Sequence, residues 1–188
     1  DISFFNRTAV VSEIENGLEY IRVMDRKSKR ADLRIPTPET VYTMDLAGNP
    51  EYDTPYIRYN YSSMVTPNST YEFDLKSRKS ELVKQQEIPS GHNKNNYETT
   101  RVWAKARDGE KVPVSILMKK GTKLDGSAPM LLYAYGSYGY SMTPSFSTLA
   151  VRAWADRANQ VLRRTECLPA RCHRRAACDR ETRANTSR

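Results

Sequence analysis

Apolar and polar residues alternate along much of the first 88 positions, a period of two that suits half-buried strands. Thr8–Ile14 and Tyr20–Met24 flank Glu15-Asn16-Gly17. Asn-Gly between two alternating runs predicts a tight hairpin. Further strands are predicted at Thr40–Met44, Tyr56–Tyr61, Thr70–Leu75 and Glu81–Lys84. Their β-branched and aromatic content favours an all-β sheet array. Pattern alone leaves sandwich and propeller open, and two successive four-strand units fit the spacing.

Residues 87–99, EIPSGHNKNNYET, form a polar stretch suited to a connection between domains. A second hairpin follows, with Arg101–Ala106 and Val112–Met118 around Asp108-Gly109. Pro113 cannot donate to a ladder, which puts it at a strand start or an edge. After a polar loop, Met130–Tyr135 is continuously apolar, as expected of a strand buried on both faces. It runs into Gly136-Ser137-Tyr138-Gly139-Tyr140. Val151, Trp154, Ala158 and Val161-Leu162 recur at helical spacing and predict a helix within residues 147–164. Beyond it no apolar period is sustained.

Composition divides the chain at the same place. Formal net charge is +8, but residues 1–150 hold 20 basic and 18 acidic residues, net +2. Residues 151–188 hold 10 arginines, no lysine and 4 acidic residues. The basicity belongs to the tail, so a nucleic-acid partner is not expected for the body. No apolar run approaches the ~18 residues of a membrane span, and no membrane partner is expected. The start, Asp1-Ile2-Ser3-Phe4-Phe5, has neither a Met nor a charged-then-apolar leader, and no targeting segment is read there. All three cysteines lie in the tail. A cysteine-free body fits a reducing compartment, and a cytoplasmic location is expected.

The stretch Tyr56–Pro89, YIRYNYSSMVTPNSTYEFDLKSRKSELVKQQEIP, is distinctive. So are ARDG at Ala106–Gly109, KVPVS at Lys111–Ser115 and DGSAPMLLYAYGSYGYSMTPSFS at Asp125–Ser147. These segments resemble the prolyl oligopeptidase family of serine peptidases, in its oligopeptidase B branch. The resemblance implies a seven-bladed β-propeller that caps an α/β-hydrolase domain and filters substrates by size. It also implies cleavage of short peptides after Lys or Arg. On that basis the chain is expected to be mainly β: final propeller blades at 1–88, a linker at 89–99, and the first strands of an incomplete α/β-hydrolase domain at 100–150. The tail, 151–188, is expected to be irregular or part helical, and an out-of-frame or chimeric read. No cofactor is expected.

A serine hydrolase needs a nucleophile on a sharp turn, a base and an orienting acid. No G-x-S-x-G occurs in the 188 residues, and there are two histidines, His92 and His173. His92 reads as a solvated loop residue, and His173 belongs to the tail. In the family, the catalytic serine, aspartate and histidine come later than the matching segments, so none is carried over. The chain alone is expected to be inactive.

By residue type alone, Tyr135 is a strand aromatic with its hydroxyl towards water. The resemblance implies a second role, donation of that hydroxyl to the oxyanion of acyl transfer. One preorganised donor stabilises such a charge by roughly 3–4 kcal/mol. Tyr138 matches the position that lines the pocket for the side chain preceding the scissile bond. Packing among its turn neighbours is an equal reading from residue type. Ala134 departs from the family, which commonly has Gly there. Cys167, Cys172, His173 and Cys178 offer four ligand atoms, but C-x4-C-H-x4-C is not a zinc-site spacing, and no metal is expected. Two other readings stay open: a non-catalytic propeller-type module that binds peptides or proteins, and a nucleic-acid binder resting on the tail.

Overall fold

The computed structural model describes residues 1–27, 30–135, 137–138, 141–147, 155 and 160–164, the last five by their backbone alone. The described chain is mainly β, arranged as three four-stranded sheets.

The first sheet is an antiparallel meander of β1 (Ile2–Phe4), β2 (Thr8–Glu15), β3 (Leu18–Asp25) and β4 (Leu33–Arg34), in that spatial order. Asn16 and Gly17 make the β2–β3 turn with φ of 52° and 70°. Two successive positive φ values are what a type I′ hairpin requires, and they set the register Glu15↔Leu18. On one face Glu13 binds both Arg22 and Arg34, at 2.5 and 2.7 Å. The Arg22 guanidinium, foremost, and Arg34 hold the Glu13 carboxyl below the usual range.

The second sheet repeats the plan with β5 (Tyr42–Leu46), β6 (Tyr56–Ser63), β7 (Ser69–Asp74) and β8 (Ser80–Gln85). Ile57, Tyr59 and Tyr61 alternate along β6 and are buried. This is the two-residue period seen in the sequence, now facing a core. Val10, Ile21 and Val23 from the first sheet meet Tyr42, Met44, Ile57, Tyr59, Tyr61 and Phe73 from the second in one apolar cluster. Each such side chain contributes roughly 1.5–3 kcal/mol by burial. Two four-stranded antiparallel meanders sharing a core are consistent with neighbouring propeller blades.

Polar groups also join these sheets. The Glu19 carboxylate on β3 accepts the Met44 N–H at 2.8 Å and the Thr43 hydroxyl, both from β5. The rings of Tyr20 and Tyr42 meet edge to face at 6.2 Å, and Tyr42 stacks on Tyr61. Burial is the main cause that raises the phenol pKa values of Tyr42, Tyr59, Tyr61 and Tyr71, with Tyr42 pushed up to about 12.

After a 3-10 turn at Lys94–Asn96, the third sheet comprises β9 (Tyr97–Lys105), β10 (Lys111–Lys119), β11 (Met130–Tyr133) and β12 (Gln160–Arg164). Its spatial order is β11-β12-β10-β9. β10 runs antiparallel to β9 and β12, whereas β11 and β12 are parallel. Pro113 pairs with Trp103 before the β10–β12 ladder begins at Val114, so its missing N–H costs that ladder nothing.

Two expectations are corrected. Gln160–Arg164 is a strand, not the end of a helix. The gap between β10 and β11 offers ladder partners on both sides, and tertiary pairing overrides a short helical spacing. β11 is not buried on both faces: it lies at a sheet edge, and Met130, Leu132 and Tyr133 are exposed. Thr148–Asn159 apart from Ala155, and the tail from Thr165, lie outside the described residues. The rest of the predicted helix falls there, together with the expected frame break.

Candidate functional site

The segment after β11 was expected to carry the chemistry. β11 delivers Ala134 and Tyr135 from its C-terminal end, and Tyr135 is about half exposed. Tyr138 follows in a turn with φ of 56° and is 93% exposed. A left-handed backbone costs a residue other than glycine roughly 1–2 kcal/mol. The Tyr138 ring stands exposed to solvent. Gly136, Gly139 and Tyr140 lie outside the described residues, as do Cys167, Cys172, His173 and Cys178.

His92 is placed differently from the solvated loop residue read in the sequence. Its ring is half-buried and stacks on Tyr97 at 5.7 Å between centroids with an interplanar angle of 16°. Phe146 meets the same ring edge-on, at 5.0 Å and 67°. Nε2 lies 2.6 Å from the Val65 carbonyl oxygen. A carbonyl only accepts, so Nε2 carries the proton and donates it. The ring of His92 is therefore held as a structural donor between aromatic faces. It is not posed as a free general base.

The Val65 carbonyl belongs to the buried turn at the end of β6. Ser62, Ser63, Met64, Val65 and Thr66 are all buried. Ser63 Oγ accepts the N–H groups of Val65 and Thr66, at 3.1 and 2.8 Å, which closes the turn on itself. Glu39 accepts the Thr66 hydroxyl at 2.8 Å and the Tyr61 hydroxyl at 2.7 Å. Burial, then the hydrogen bond to Glu39 and its charge, raises the Tyr61 pKa strongly. Met64 and Val65 pack with Val41, Tyr97, Leu117 and Ala155 in a second apolar cluster, with Phe146 against it. The Phe146 N–H donates to Ser62 Oγ at 3.0 Å. This junction between the second and third sheets was not singled out in the sequence. The local signal it leaves in the sequence is the uncharged run Tyr59–Tyr71, between Arg58 and Glu72.

An open groove of about 570 Å³ lies beside the junction, lined in part by Gln85, Glu87, Pro89, His92 and Lys94. Among the described residues no group of three or more His, Cys, Asp or Glu side chains is placed to hold a metal ion. The described residues thus bring His92, Phe146 and the β6–β7 turn together, with Tyr135 about half exposed and Tyr138 exposed.

Comparison with known proteins adds four findings. The family model for the prolyl oligopeptidase N-terminal β-propeller domain matches residues 1–86. Dipeptidyl aminopeptidase BI of Pseudoxanthomonas mexicana is 46% identical over 144 residues, 76% of this chain and 20% of that protein. Among solved structures, oligopeptidase B from Trypanosoma brucei, in a closed form with covalently bound antipain, superposes with a TM-score of 0.77 at 28% identity. Oligopeptidase B from Leishmania major gives 0.76 at 29%. Each superposition covers 88% of this chain and 24% of the solved chain. The chain therefore spans about a fifth of the length of this curated relative and about a quarter of the solved chains.

Proposed function

Because the chain belongs to the prolyl oligopeptidase family of serine peptidases and holds part of its N-terminal β-propeller, we propose that it is the stretch of such an enzyme in which the last blades run into the peptidase half. The blades occupy residues 1–88, the crossing segment 89–99, and the start of an α/β-hydrolase domain 100–150, with β12 (Gln160–Arg164) paired into the same sheet. The observation that carries this reading is the change of pairing between sheets. Two antiparallel meanders are followed by a sheet in which β11 and β12 run parallel with β12 inserted beside β10. Parallel neighbours need a long crossover, the connection that α/β sheets use and propeller blades do not.

In the whole protein the activity is hydrolysis of short peptides after Lys or Arg, in the cytoplasm, without cofactor, nucleic acid or membrane. Tyr135 serves as an oxyanion donor: it leaves the C-terminal end of a strand, where α/β sheets gather their sites, and its phenol donates without carrying charge. Tyr138 offers its exposed ring to the substrate's basic side chain, whose stem packs on an aromatic face. The nucleophile, base and acid are supplied from outside the segments that match.

The coding DNA beyond the codon for Ser147 tests this reading. A G-x-S-x-G in any frame, followed by Asp and His codons, is the expected result. An open frame without one would leave a β-rich binding module instead.

A second reading concerns specificity. Identity to the dipeptidyl aminopeptidase, 46%, exceeds the 28% shared with the T. brucei oligopeptidase B. That favours release of dipeptides from a free N-terminus. Whole enzyme assayed on one peptide with free and with acetylated N-terminus separates the two: an endopeptidase cleaves both, and a dipeptidyl peptidase cleaves only the free form.

A further inference from the structure

The junction around His92 has a geometry that asks for a mechanical role. Residues 89–99 look in sequence like a loose connector, yet His92 fastens that stretch to the β6–β7 turn. We propose that His92 is the pin of a joint that sets where the segment after β11 sits relative to the last blade. It is a positioning residue, and the inference concerns how parts of this chain are joined, whatever reaction the whole protein performs.

Three observations converge on it. The Nε2–H of His92 donates to Val65 O at 2.6 Å, which ties the crossing segment to the β6–β7 turn. The ring is held between Tyr97, at the start of β9, and Phe146, beyond the strand-turn that bears Tyr135 and Tyr138. Phe146 is itself bonded back to the same turn, through its N–H to Ser62 Oγ at 3.0 Å. His92, Phe146 and the turn thus form a closed triangle of contacts. Three stretches distant in sequence meet there: 62–66, 92–97 and 146.

The turn is a firm anchor for such a triangle. It is buried, it satisfies its own amides through Ser63 Oγ, and Thr66 ties it to Glu39. Glu39 also holds Tyr61, which stacks on Tyr42 in the core shared by the first two sheets. A displacement of the crossing segment therefore reaches residues 143–147 through the His92 ring, beside the apolar cluster on which Tyr97 and Phe146 also meet. If that ring is removed, the apolar cluster around Leu117 remains but nothing links Tyr97 to Phe146 through the donor to Val65.

Amide hydrogen exchange on the 188-residue chain, read by mass spectrometry, tests the proposal. In His92→Ala, peptides covering 143–147 should exchange at least about tenfold faster, while those covering β2 and β3 keep their protection. Ser62→Ala, which removes the acceptor for the Phe146 N–H, should give the same local pattern. His92→Phe keeps a ring without the donor and should fall between wild type and His92→Ala. Unchanged exchange at 143–147 in His92→Ala would overturn the proposal. So would equal acceleration in β2 and β3, which would make His92 a support of the whole fold, or a wild-type 143–147 segment that already exchanges like a free peptide.

Discussion

Ile21→Ala probes whether the first two sheets stand or fall together. Ile21 lies on the central strand β3, is fully buried, and belongs to the cluster to which both sheets contribute. The substitution removes three carbons. At about 0.8 kcal/mol for each buried methylene, the transfer loss is roughly 2.4 kcal/mol. The cavity that incomplete collapse leaves behind adds to this, and the observed span for such truncations is about 2–5 kcal/mol. We expect about 3–4 kcal/mol, a large part of the ~5–15 kcal/mol that holds a typical domain. The assay is urea unfolding followed by far-UV circular dichroism and by the near-UV tyrosine signal. The second probe reports the contacts of Tyr20, Tyr42, Tyr61 and Tyr71, which lie on both sheets. Both signals should move together to a lower midpoint. Ile14→Ala is the control: Ile14 is 77% exposed on β2, and its loss should stay within about 0.5 kcal/mol. A cost for Ile21→Ala under about 1 kcal/mol would refute the shared core. So would a tyrosine signal that keeps its original midpoint while the far-UV signal shifts.

Three further outcomes follow from the same geometry. The folded-state pKa of Tyr42 is raised from 10 to about 12, and the other buried tyrosines shift in the same direction. The folded chain then binds more protons than the unfolded chain above pH 10, so the stability this provides is complete below pH 10 and is lost as pH rises towards 12. Tyrosinate absorbance near 295 nm should accordingly rise together with the loss of sheet signal in that window, and tyrosinate forming fully before any unfolding would contradict it. Glu19→Ala leaves the Met44 N–H without its carboxylate and should cost about 1–3 kcal/mol in urea unfolding, with Glu19→Gln closer to wild type. In the whole enzyme, Tyr135→Phe should lower kcat by about 10²–10³ with KM little changed, as loss of one oxyanion donor does; a change confined to KM would assign Tyr135 to substrate binding instead.

The strands were legible where one face is wet and the other dry. Ile57, Tyr59 and Tyr61 alternate with polar residues, and each is buried in β6. Asn16-Gly17 announced its turn because few dipeptides accept two positive φ values. β11 misled for a physical reason. An apolar run states how many of its faces seek cover, not whether the cover is present, and Met130 and Leu132 stand exposed. β12 was hidden because five residues carry too little period to outweigh a helical spacing that surrounds them. His92 was the least legible. Its neighbours Gly91 and Asn93 mark a loop, and no local pattern encodes a partner such as Val65, 27 positions earlier in the chain. The same limit applies to Tyr135, whose proposed role rests on resemblance and whose side chain is about half exposed.

The central claim is that this chain joins propeller blades to the beginning of a peptidase half and holds no catalytic set of its own. Incubating the purified 188-residue chain with a dibasic fluorogenic peptide, in parallel with a serine-directed fluorophosphonate probe, tests it most directly. The account predicts no turnover and no covalent labelling. Turnover that the fluorophosphonate abolishes, with the label on a serine of this chain, would contradict it.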